Sequence, residues 1–118
     1  MTTLLSPPSE FASQIELRSV ATLVPYAQNA STHSNKQIRQ IADSIRSFGF
    51  LNPVLIDAAG EIIAGHGRVA AAKLLGIRDV PVLAITHLTP AQKRAYVLAD
   101  NRLAEQAGWD REILAIEL

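Results

Sequence analysis

The sequence predicts an α+β fold, a small mixed sheet with helices packed on it, and three observations carry that prediction. Two segments open with a Ser/Thr-x-x-Gln capping box, at Ser34 and at Thr89, and continue with apolar residues at helical spacing. Two aliphatic runs, residues 53–57 and 61–64, flank Ala58-Ala59-Gly60 in the pattern of a hairpin with a glycine turn. A third run, residues 80–85, is continuous and apolar enough to lie at the centre of a sheet.

In chain order, residues 1–13 hold Pro7-Pro8 and no sustained period, so a flexible tail is expected there and an ordered domain from 14 to 118. Ile15, Leu17 and Val20 suggest a short strand running toward Leu23-Val24-Pro25, where the proline stops regular pairing. The polar run from Tyr26 to His33 reads as a loop. Ile38, Ile41, Ala42, Ile45 and Phe48 give the first helix, closed by Gly49. The second helix runs from about His66 to Leu75 and ends at Gly76. The third has Thr89 as cap and Pro90 at the first helical position, where its missing N–H costs nothing. Its apolar positions include Ala95, Leu98 and Leu103. Ala107-Gly108-Trp109 breaks it, and Asp110 then caps a further amphipathic segment with Ile113, Leu114 and Ile116. That segment is unfinished, so the chain is expected to be a fragment of a longer protein.

Composition narrows the function classes. At 118 residues with 48% hydrophobic content the chain suits one small folded domain. Eleven basic and eleven acidic residues cancel, so no global charge draws it to nucleic acid or an anionic membrane. Any such binding has to come from a local patch. The absence of cysteine removes disulfides, thiolate nucleophiles and cysteine-based metal sites. No targeting segment or membrane span is visible, and a cytoplasmic location without membrane partners is expected.

Two stretches could carry chemistry. Residues 62–76 read as strand, tight glycine turn and helix. Gly65 and Gly67 permit close backbone approach, so successive N–H groups around His66 can converge on an anion at a helix N-terminus, with Arg68 as a clamp on a phosphate oxygen. The same residues also fit a plain turn with His66 and Arg68 solvated. The turn has neither the lysine and Ser/Thr of a Walker loop nor the third glycine of a dinucleotide fingerprint. In the second stretch, residues 98–102, Asp100 and Asn101 offer oxygen ligands to a hard cation such as Mg²⁺ if a phosphate completes its shell. A polar helix face fraying at its end fits equally. Asn29 and His33 lie in a loop, where binding residues often sit. His33, His66 and His87 fall in separate turns without zinc-site spacing, and no metal is assigned to them. Lys36, Arg39, Arg46, Lys93 and Arg94 read as solvated faces, and Trp109 as a base-stacking platform or a core plug.

Four blocks in order, "LVPYAQNASTHS", "SIRSFGFLNPVLID", "GEIIAGHGRVAAAKLLG" and "VPVLAITHLTPAQKRAYVLADNRLAEQAGWD", resemble the ParB/sulfiredoxin-like superfamily, in its ParB-like nuclease domain branch. The resemblance covers nearly the whole chain from Ile15. It is nearest to the domain found at the N-terminus of phage and prophage DNA methyltransferases, where "AGHGR" and "LADNRLAE" recur.

The resemblance implies a site. In partition-type relatives the glycine-rich block binds the triphosphate of CTP, and a later Glu-Asn pair with an arginine helps hold Mg²⁺ and nucleotide. Here Gly65, His66, Gly67 and Arg68 match the first block and Asp100, Asn101 and Arg102 the second. The partition family usually reads Gly-Glu-Arg-Arg, so His66 stands for its acidic residue and Gly67 for one arginine. Sulfiredoxin places ATP phosphates on the same turn but needs a cysteine there, which this chain lacks. The implied function is a nucleotide-binding domain, for CTP or ATP with Mg²⁺, that regulates or targets a DNA methyltransferase on DNA. Asn29 would lie near the base or sugar, and a homodimer is the implied assembly. A stand-alone nuclease or nucleotide hydrolase, with Glu61 or Asp100 as the acidic group, is the second reading. A DNA- or protein-interaction module without nucleotide is the third.

Overall fold

The structure, a computed structural model, describes residues 14–26 and 33–100. The expected tail at 1–13, Asn29, Asn101, Arg102, Leu103, Trp109 and the segment after Asp110 lie outside the described residues.

The first strand, β1 (Glu16–Ser19), is shorter than the apolar residues around it suggest. The Ser19 hydroxyl accepts from the Ala21 N–H, and Thr22 Oγ1 donates to the Ser19 carbonyl at 2.7 Å. These bonds wind Val20–Thr22 into a 3₁₀ turn. The turn redirects the chain, so Val20 and Leu23 enter the core while Ile15 and Leu17 remain exposed.

Helix α1 (Asn35–Phe48) starts at the expected capping box: Ser34 Oγ accepts from Gln37 N–H, and Gln37 Oε1 accepts from Ser34 N–H. Gly49 closes it. The hairpin follows as β2 (Val54–Ile56) and β3 (Ile62–Ala64), paired antiparallel. Helix α2 (His66–Leu75) has both expected ends, with Gly65 and Gly76 in the left-handed region. Strand β4 (Asp79–Ala84) then runs antiparallel to β1 and parallel to β2. The sheet order is β1-β4-β2-β3, so β4 is interior, as its apolar run predicts. A third helix, α3, occupies residues 90–100. Its capping box is formed by reciprocal Thr89 and Gln92 bonds.

Val54, Ile56, Ile62, Val80 and Val82 project from one sheet face and pack with Val20, Leu23, Val69 and Ala72 in one buried cluster. Each such aliphatic side chain contributes about 1.5–3 kcal/mol by leaving water. Ile63 and Leu83, which strand alternation sends to the opposite face, are buried too. On α3 the buried residue is Val97, whereas Ala95 and Leu98, its expected apolar positions, are exposed. Val97 lies one turn beyond Lys93, and Lys93 is the residue that ties α3 to the hairpin. The 93/97 face, and not Leu98, thus meets the domain.

Candidate functional site

Gly65 sits between β3 and α2 with φ of 104°, a conformation that L side chains rarely adopt. The sharp turn drops the chain from the sheet into α2 with no side chain capping the helix. No acidic residue lies in the first turn either. A cation does: Arg68, half-buried, which forms no ion pair among the described residues. Uncapped N–H groups, the positive end of the helix dipole and a guanidinium together make this turn electropositive. Such an arrangement is unfavourable by itself and is relieved by an anion.

His66, the first residue of α2, is half-buried and has a defined partner. Its Nε2 accepts from the main-chain N–H of Tyr26 at 3.2 Å, which places the ring proton on Nδ1. Burial pushes its pKa below the ordinary imidazole value, and the neighbouring His33 acts in the same direction. Asp100 and Glu61 oppose them without reversing the shift. His33, Glu61 and Asp100, from three separate elements, therefore all lie within electrostatic reach of His66.

Gly67 is held differently from Gly65. It is buried, with an ordinary negative φ, and a Cβ at this position would collide with His33 and Ile41. Its role is close packing of α2 on α1 and on the residue before it.

Beside the turn is a charged cluster that reading Lys93 as a solvated residue missed. Its ammonium donates to Asp57 Oδ2 at 3.0 Å and to Glu61 Oε1 at 2.8 Å, and stands 5.6 Å from the centre of the Tyr26 ring. Asp57 Oδ1 also accepts from the N–H groups of Ala59 and Glu61, each at 2.9 Å. Burial pushes the Asp57 pKa up, but the Glu61 amide, the Lys93 ammonium and the Ala59 amide outweigh it and leave the carboxyl below its usual range. The Lys93 pKa is raised by its bonds to Glu61 and Asp57. The signal for Asp57 was present in the sequence, since an Asp two residues before a small turn residue commonly closes an Asx turn. Nothing local announces its ion pair with a lysine on a distant helix.

No group of three or more metal-ligating His, Asp or Glu side chains exists among the described residues. Asp100, half-buried on the last described turn of α3, is one oxygen donor near the electropositive turn. Mg²⁺ fits such a sparse set, because it keeps most of its shell as water and phosphate oxygen. No described helix is long and apolar enough to cross a membrane.

Comparison with known proteins identifies the family and agrees with the fold. The model of the ParB N-terminal domain matches residues 9–102. The ParB-like nuclease domain-containing protein YnaK of Escherichia coli is 53% identical over 81 residues, covering 69% of this chain and 93% of that protein. A probable chromosome 2-partitioning protein ParB of Deinococcus radiodurans is 39% identical over 69 residues, which are 56% of this chain and only 23% of the relative. Among solved structures, the C-terminally truncated ParB of Caulobacter crescentus complexed with CTP-γ-S superposes with a TM-score of 0.64 at 23% identity. That match covers 74% of this chain and 52% of the other, and at this identity it bears on the fold alone. Four-stranded sheet, glycine turn and matched span lead to one assignment: the chain belongs to the ParB N-terminal domain family.

Proposed function

We propose that this domain binds a nucleoside triphosphate, CTP or ATP, with Mg²⁺, and acts as a regulatory or targeting module for a protein that works on DNA. The observation that carries the reading is the first turn of α2, which is uncapped, free of acidic residues and occupied by Arg68. In this reading the N–H groups of residues 65–68 take phosphate oxygens and Arg68 forks onto another. His66 fixes the turn against Tyr26. Asp100 and Asn101 hold Mg²⁺, which would neutralise phosphate charge; Arg102 adds a second clamp, and Asn29 lies near the base or sugar. The CTP-γ-S complex of the Caulobacter structural neighbour supports CTP as a ligand of this class. A DNA methyltransferase is the proposed companion activity, and a homodimer the proposed assembly.

Hydrolytic cleavage is the second reading, favoured by the word nuclease in the name of the E. coli relative. The geometry favours binding. Asp57 and Glu61 are both engaged by Lys93, which leaves Asp100 as the nearby carboxylate without a cation partner among the described residues.

The test is a calorimetric titration of CTP, ATP, GTP and S-adenosylmethionine with Mg²⁺, on the parent and on Arg68→Ala. Selective triphosphate binding that is lost in the variant is expected. Silence for every triphosphate from a folded sample overturns the reading.

A further inference from the structure

The glycine at position 67 has a steric cause, and that cause is a second basic side chain. A Cβ on Gly67 would stand 2.9 Å from Cδ2 and 3.0 Å from Nε2 of His33, and 2.8 Å from Cδ1 of Ile41. The Ile41 methyl is the end of a flexible side chain and can turn aside. The imidazole is a rigid ring attached one residue before the Ser34 cap, which its own capping box fixes at the start of α1. Because the φ of Gly67 is not positive, its backbone makes no demand for glycine. The neighbouring ring makes that demand.

His33 therefore fills the volume that a side chain at position 67 would take, in the first turn of α2 and one residue from Arg68. It also lies within electrostatic reach of His66, the first residue of that turn. The turn itself supplies one cation, Arg68. The loop before α1 supplies a second group able to carry positive charge.

We propose that His33 is a further ligand-contacting residue of this site: its imidazolium, standing in the place of a side chain at position 67, donates a hydrogen bond to the phosphate chain of the bound nucleoside triphosphate. The proposal rests on the nucleotide reading above. It involves only non-covalent contacts.

The experiment moves the cation from one position to the other. CTP, ATP and GTP are titrated with Mg²⁺ into the parent, Arg68→Ala, His33→Gln and the double variant His33→Gly/Gly67→Arg, with circular dichroism and thermal melting to establish that each is folded. His33→Gln retains size and hydrogen bonding but carries no positive charge. It is expected to weaken binding by about tenfold or more, as loss of one charge-assisted hydrogen bond should. The double variant is expected to recover most of that loss, because the guanidinium then arises from position 67 into the space that the imidazole vacated. If the parent binds and Arg68→Ala does not, but His33→Gln binds like the parent, the proposal is overturned while the nucleotide reading stands. A weakened His33→Gln that the folded double variant fails to restore makes His33 a packing residue and overturns the proposal as well. A parent that binds no triphosphate overturns both.

Discussion

The main-chain N–H of Tyr26 donates to Nε2 of His66, joining the end of the first described segment to the first residue of α2. The bond requires that nitrogen to be unprotonated. Since burial and His33 hold the folded-state pKa below the ordinary value of about 6.5, the unfolded chain takes up the proton more readily. The contribution of His66 to stability is thus complete above about pH 6.5 and is lost as pH falls below it. Melting temperature measured between about pH 7.5 and 5.5 should fall less steeply in His66→Gln than in the parent; parallel curves would show that His66 does not titrate on unfolding.

Asp57 joins three partners, and its two simplest substitutions should separate them. Asp57→Ala removes the acceptor for the Ala59 and Glu61 amides and one of the two carboxylate partners of a part-buried Lys93, at a cost of about 1–3 kcal/mol. Asp57→Asn keeps an acceptor for the turn and should lose about half as much. Urea unfolding measures both. Because the folded pKa of Asp57 is lowered, its contribution is present above about pH 4 and disappears as pH falls through the folded value.

Gly65→Ala tests the turn. A side chain at φ of 104° costs about 1–2 kcal/mol in backbone strain alone, and its Cβ would rest 3.4 Å from the Val54 Cα, against the sheet. The variant should melt lower than the parent and lose triphosphate binding more than in proportion to its stability. An alanine accepted without loss of either would mean that the left-handed turn is dispensable.

Two adjacent residues of α3 should differ sharply. Val97 is 2% exposed and Leu98 65%. Val97→Ala is expected to cost about 1–3 kcal/mol through lost burial and a small cavity, and Leu98→Ala no more than about 0.5 kcal/mol. Denaturant midpoints decide this, and equal costs would place the helix in a different rotation.

The features legible in the sequence are those written locally. Ser34 with Gln37 and Thr89 with Gln92 lie three residues apart, so both capping boxes were readable, and Gly65 and Gly76 bracket α2 where the pattern places them. The interior position of β4 followed from its unbroken apolar run. The rotation of α3 was not legible, because Val97 and Leu98 are adjacent and both apolar, and the face that meets the domain is marked only by tertiary contacts such as those of Lys93. The same holds for the site. Glycines at 65 and 67 marked the turn, but one is required by its φ and the other by His33, a difference that only the packing reveals. The ion pairs of Lys93 and the bond from Tyr26 to His66 join residues far apart in the chain, and no local pattern encodes them.

Strand β1 lies at the sheet edge with β4 as its neighbour, so Leu17 finds its partner, Pro81, only near the end of the described chain. During synthesis this strand leaves the ribosome first and waits, unpaired, through both helices and the hairpin. The interval sets a kinetic order: hairpin and α2 can form from local contacts, whereas the sheet closes only after β4 has emerged, at the entropic cost of a long loop. A ribosome stalled before residue 79 would hold β1 with the main-chain groups that face β4 unpaired, and the nascent domain would then be most vulnerable to proteases and to strand pairing with other chains.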